Sequence, residues 1–165
     1  MNNIAIQLIT MFGIGRISKI PGTIASFVTC LFYFFCIIFN VNIIFLFITF
    51  FIILILSIIF INKYSSNFTE IDAKEIVIDE FLGQSIPIFL LYHPIQKSDP
   101  ESAWLYLLTV FILFRFFDIL KPFPINLIDK KMKNALGVVL DDLLAGIYVL
   151  IIFALFGHFF GPPFE

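Results

Sequence analysis

Arg115, Asp118 and Lys121 follow one another at three-residue intervals inside an otherwise apolar run, Phe114-Arg115-Phe116-Phe117-Asp118-Ile119-Leu120-Lys121-Pro122-Phe123-Pro124. As a helix, this spacing sets a cation, an anion and a second cation on one face, and the two prolines stop it. Charges at membrane depth are costly and mark functional sites, so this face must address protein rather than lipid. Asp79 and Glu80 stand about one turn before Gly83, and Asp141-Asp142 before Gly146 repeats the spacing. Each pair places a carboxylate over a notch that another helix can approach closely.

The chemistry follows from the ligand types. Asp79, Glu80, Asp141 and Asp142 offer only hard oxygen ligands, which suit Mg²⁺ or Mn²⁺; Mg²⁺ keeps waters and shares a substrate phosphate. Cys30 and Cys36 lie in an apolar run, and His93 and His158 fall at the opposite end of the spans. These four acids are the candidate ligands for one or two Mg²⁺ ions. With Arg115 and Asp118 they form the candidate catalytic set, Asp118 either orienting Arg115 or joining the metal shell. The alternative of equal weight is a set of ion pairs, Arg115 with Asp118 first, that locks the helices together.

A loop from Gly13 to Ser26 carries Arg16, Lys19 and a Pro21-Gly22-Thr23 turn. Thr23 or Ser26 is expected to cap the next helix, whose N-terminus beside Arg16 and Lys19 suits a phosphate oxygen. The plainer reading makes Arg16 and Lys19 positive anchors where the chain turns into a membrane.

The elements that must position these groups are membrane helices. The chain has 165 residues, 61% hydrophobic and 13% charged, and its mean hydropathy is +1.06. That composition is far from a soluble domain. With no long polar linker, residues 1–165 read as one membrane-embedded domain. The segment from Met1 to Ile14 reads as a short interfacial helix; it lacks the basic start of a cleavable signal, so residue 1 is kept in the mature protein. No charge occurs from Ile20 to Asn62, room for two spans, at about Thr23–Phe39 and Val41–Ile61. A short third segment covers Ile76–Tyr92 and is interrupted at Pro87, and His93–Glu101 is a loop. Ser102–Leu120 is the fourth span, Pro122–Gly137 a loop, and Asp141-Asp142 open a fifth helix ending near Phe160. The expected architecture is an all-α bundle of about five spanning or partly spanning helices.

Alternating the loops puts Arg16, Lys19, Lys63, Lys74, Lys121, Lys130, Lys131 and Lys133 on one side and only Lys97 on the other. By the positive-inside rule the first side is cytoplasmic, and the C-terminus lies outside. Asp72, Asp79, Glu80, Asp118, Asp129, Asp141 and Asp142, with Glu70 and Glu75 nearby, all fall on that side. Asp99, Glu101 and Glu165 do not. Crowded carboxylates repel and need cations to stay ionised.

Taken together, these stretches resemble the phosphatidylglycerophosphatase A family. The resemblance rests on Gly13, Gly15 and Pro21-Gly22-Thr23 with Ser26, on Asp72 and Ile76 to Gly83, on Phe114-Arg115 with Asp118, Lys121 to Pro124 and Asp129, and on Gly137, Asp141-Asp142 and Ala145-Gly146. They occur in family order from about Phe12 to His158. Ser18 and Ala25 depart from the family's pattern in the first loop. The resemblance implies Mg²⁺-dependent hydrolysis of phosphatidylglycerol phosphate to phosphatidylglycerol and inorganic phosphate, in phospholipid biosynthesis at a bacterial inner membrane, with no nucleic-acid partner. Arg16, Lys19, Thr23, Lys121 and Asp129 are then the expected substrate-binding residues. Attack by water and a covalent aspartyl-phosphate both remain open. A CDP-alcohol phosphotransferase would need an Asp-Gly-x-x-Ala-Arg run that is absent, and a small ion transporter would need ionisable groups in the outer half of the spans, which are also lacking.

Overall fold

The computed structural model describes residues 2–17, 19–64, 67–68 and 72–160, apart from the side chains of 2, 3 and 160. Met1, Ser18, Glu70 and Glu165, named above, lie outside the described residues. Among these residues all regular structure is helical: α1 Asn2–Ile9, α2 Ile14–Ile17, α3 Pro21–Ile38, α4 Ile43–Tyr64, α5 Ile78–Lys97, α6 Pro100–Leu120, α7 Ile125–Lys131 and α8 Ala135–Phe160. Helices α3, α4, α6 and α8 are long and apolar enough to cross a membrane. The expected all-α membrane bundle is what the chain forms.

Helix α5 occupies the middle of the bundle, in contact with α3, α4, α6 and α8. It buries Asp79, Leu82, Gly83, Gln84, Ser85 and Ile88, whereas α4 exposes Ile44, Phe45, Ile48, Ile52 and Ile55 as a lipid-facing belt. The most extensive helix contact is α5 with α8. There the two glycine notches meet: a Cβ added to Gly83 would strike the Asp142 carbonyl, and one added to Gly146 would strike the Gly83 carbonyl. The expected break at Pro87 does not occur, and the helix runs through Pro87 and Pro94 to Lys97. A helical proline frees the carbonyl four residues earlier. Here that carbonyl belongs to Gly83 and lies against Gly146.

Several boundaries differ from the sequence reading. Helix α3 starts at Pro21 after an Ile20 N-cap with no side-chain cap, so Thr23 and Ser26 lie inside the helix. Proline at the first position needs no N–H partner and is already set to helical φ. The expected loop at His93–Glu101 shrinks to a turn, because α5 extends to Lys97 and Asp99 caps α6 by accepting from the Glu101 and Ser102 amides at 3.1 and 3.0 Å. The expected loop at Pro122–Gly137 holds α7. Helix α8 begins at Ala135, where the Asn134 side chain accepts from the Gly137 amide at 2.9 Å. Asp141 and Asp142 are therefore inside α8 and do not open it.

Candidate active site

The polar end of the bundle is a cleft of about 550 Å³ between the start of α3, the segment before α5, the end of α6 and the second turn of α8. Asp79 and Glu80 reach it from the first turn of α5 and Asp142 from α8. Close α5–α8 packing over the glycine notches fixes their level. One carboxylate oxygen from each of the three lies within 4.8 Å of the others, a grouping able to hold a metal ion.

Asp79 and Asp142 are buried. The Glu80 Oε2 atom is buried without a hydrogen-bond partner among the described residues. Three carboxylates at such separation repel, and removal from water raises the cost of their charge. The donor set is all oxygen, and one of its buried carboxylate oxygens has no protein partner among the described residues. These residues fit a hard divalent ion.

Arg115 forms an ion pair with Asp118 one turn away, and its Nη1 lies 3.8 Å from Glu80 Oε1. Its Nε is buried and lacks a hydrogen-bond partner among the described residues. Gly22 allows this approach: a Cβ there would collide with Glu80 Oε1 and come within 3.1 Å of Arg115 Nη1. The N-terminus of α3 thus rests directly on the acid–arginine pair, and its first-turn amides add partial positive charge beside it.

Asp141 stands apart from the trio. Its Oδ2 accepts from Lys121 Nζ at 2.6 Å, and the same ammonium donates to Asp129 Oδ1 at 2.8 Å. Lys121 ends α6 in the left-handed region, at φ 44°. From there its ammonium reaches α7 and α8 while Lys121 still lines the main cleft with Arg115 and Asp118. Burial opposes the charge on Lys121, yet its hydrogen bonds to Asp129 and Asp141 prevail and hold its pKa above the ordinary value. The hydrogen bond from Lys121 also holds the Asp129 carboxyl below its ordinary value.

The remaining expected residues separate by position. Lys19 and Thr23 line the main cleft. Arg16 lines an adjoining one, and Asp129 faces a third, of about 300 Å³, shared with Asp72 and Asp141. Two contributors had no assigned role in the sequence reading. Gly22 gives the close approach just described, and Lys74 lines both the main cleft and the one holding Arg16. Nothing in the local sequence marks Lys74 except its place between Asp72 and Asp79.

The fold and this site define a class: a multi-pass helical membrane protein with a carboxylate trio and an arginine facing one polar cleft. The chain belongs to the phosphatidylglycerophosphatase A family, whose model matches residues 7–157. It is similar to a phosphatidylglycerophosphatase A of Haemophilus influenzae, 42% identical over 95 residues that cover 57% of this chain and 53% of the relative. A phosphatidylglycerophosphatase A of Escherichia coli is 32% identical over 87 residues, 53% of this chain and 46% of that protein. A Bacteroides thetaiotaomicron protein with the provisional name phosphatidylinositol-3-phosphatase is 36% identical over 93 residues, 56% of this chain and 54% of its own. The chain spans about half the length of the curated relatives it matches. No solved structure gives a significant match.

Proposed function

We propose that this protein is a Mg²⁺-dependent lipid phosphatase that removes the terminal phosphate of phosphatidylglycerol phosphate at the cytoplasmic face of a bacterial inner membrane. The observation that carries the reading is the trio of buried Asp79 and Asp142 with half-buried Glu80, set against Arg115 in a cleft at the polar end of the bundle. Family membership and the two relatives named phosphatidylglycerophosphatase A support the substrate. The excess of Lys and Arg on the loops of that end supports the cytoplasmic assignment.

Asp79, Glu80 and Asp142 would hold Mg²⁺, while Asp141, also expected as a ligand, is engaged by Lys121. When bound, such a cation neutralises the trio, engages phosphate oxygens and lowers the pKa of a coordinated water. The other steps belong to the chain itself. Arg115 directs its guanidinium at the equatorial oxygens of the transferring group, where charge accumulates in a loose transition state. Asp118 holds Arg115 in that orientation through their ion pair. The α3 N-terminus over Gly22 adds amide donors, and Lys121 ties Asp141 to Asp129.

The test is phosphate release by purified protein from defined lipids, with and without EDTA. Release from phosphatidylglycerol phosphate that EDTA abolishes and Mg²⁺ restores is the expected result. Release unaffected by EDTA removes the metal, and no release from any phosphomonoester lipid removes the reading.

A further inference from the structure

A second cleft, of about 440 Å³, adjoins the one above and is lined by Gly15, Arg16, Lys19, Pro21, Lys74 and Glu75. Lys19, Pro21 and Lys74 line both clefts, so the two are continuous. Three cations therefore share this region with one carboxylate. Among the described residues, none of the three forms an ion pair; the Arg16 guanidinium instead lies 5.9 Å from the centre of the Phe68 ring.

Backbone contacts, not side-chain reach, bring these cations together. A Cβ on Gly15 would collide with the Glu75 carbonyl, so the turn bearing Arg16 packs directly on the segment bearing Lys74. The Val77 amide donates to the Ile9 carbonyl at 3.0 Å and joins the same two segments a few residues away. Met11, Phe12 and Gly13 all take positive φ to bring the chain round. Loose anchors to a membrane surface would need no such construction.

We propose that Lys19 and Lys74, with Arg16 behind them, bind a second phosphate of the substrate: the phosphodiester that joins its headgroup glycerol to the diacylglycerol. The proposal rests on the lipid phosphatase reading above. Phosphatidylglycerol phosphate carries a monoester and a diester linked through one glycerol, and the acid-rich cleft with Arg115, which would take the monoester through its metal, is continuous with a cationic cleft that suits the diester. The two non-bridging oxygens of a diester share one negative charge, which an ammonium can hold as a point charge and a guanidinium can hold as a fork. The adjoining cleft then sets specificity, favouring lipids with both phosphates over phosphatidate, which has only the monoester.

The experiment compares short-chain phosphatidylglycerol phosphate with short-chain phosphatidate, in detergent, for the wild type and for Lys74→Gln, Lys19→Gln and Lys74→Arg. Two ratios are read: kcat/KM for the two lipids, and Kd for their non-hydrolysable phosphonate analogues. Losing one charged contact to the diester should reduce both ratios about tenfold in either Gln variant, and Lys74→Arg should restore most of the preference. Equal loss on both lipids, as expected of surface anchors, or an unchanged ratio overturns the proposal. The binding ratio answers even if the wild type hydrolyses neither lipid, a result that would remove the phosphatase reading while leaving the subsite to be judged by its affinity for the diester.

Discussion

Asp142 and Lys121 show how differently two charged residues can serve one cleft. Asp142 is buried in the trio, where isosteric loss of one charge removes a ligand without creating a void. Asp142→Asn should lower phosphate release by more than about a hundredfold, beyond the effect of losing an outer partner of a metal ligand, while the protein still extracts and purifies as a folded species. Retained turnover would take Asp142 out of the site. Lys121 ties α6 to α7 and α8 through Asp129 and Asp141. The stabilising contribution of its raised pKa is complete below the ordinary lysine value of 10.5 and is lost only as pH rises through the raised one. The contribution of Asp129 is present above its ordinary 3.8 and is lost as pH falls through the lowered value. The Lys121–Asp129 pair thus holds unchanged across neutral pH and is lost in acid. Replacing Lys121 by Met leaves Asp141 buried and unpaired and should cost about 3 kcal/mol at pH 7. Thermal unfolding in detergent at pH 7 checks this; a variant that unfolds at the wild-type temperature would contradict it.

At the scale of elements, the position of the trio depends on the α5–α8 crossing. Gly83 meets the Asp142 backbone and Gly146 meets Gly83, so neither position has room for a methyl group. Gly83→Ala must push the helices apart and should cost about 1–3 kcal/mol as overpacking. It should also weaken divalent-ion binding, because Asp142 moves with α8 while Asp79 and Glu80 move with α5. Gly157 lies on α8 with nothing near its missing Cβ, so Gly157→Ala is the control and should leave both properties near wild type. If Gly83→Ala binds Mn²⁺, followed by its electron paramagnetic resonance signal, as tightly as this control does, the crossing does not set the site.

For the whole molecule, binding and orientation are the quantities to measure. A cation that binds only the folded trio stabilises the protein by mass action, by about 2.7 kcal/mol when its concentration is a hundred times Kd. Mg²⁺ should therefore raise the unfolding temperature of the wild type but not that of Asp142→Asn, a readout that needs no substrate. Orientation can be checked with a single reactive cysteine at Lys131, in α7, on a background with Cys30 and Cys36 replaced by serine. An impermeant maleimide should label Lys131→Cys in inside-out vesicles and not in right-side-out ones; the reverse pattern would place the cleft on the outer face.

The sequence by itself determined the membrane class, the helical architecture and the identity of the acids, because long uncharged runs have no other stable form in lipid and the few charges within them must gather. It also exposed the two carboxylate–glycine pairs, a local repeat that marks a close crossing. It did not divide the acids into roles. Asp141 and Asp142 are adjacent in the chain, yet on a helix they point about 100° apart, and only packing decided that Asp142 faces Asp79 and Glu80 while Asp141 faces Lys121. Lys121 was read on the Arg115 face; it lines the same cleft, and only the tertiary structure decided that its ammonium pairs with Asp129 and Asp141. Lys74 joined the cleft through contacts between segments distant in the chain, which no local pattern encodes.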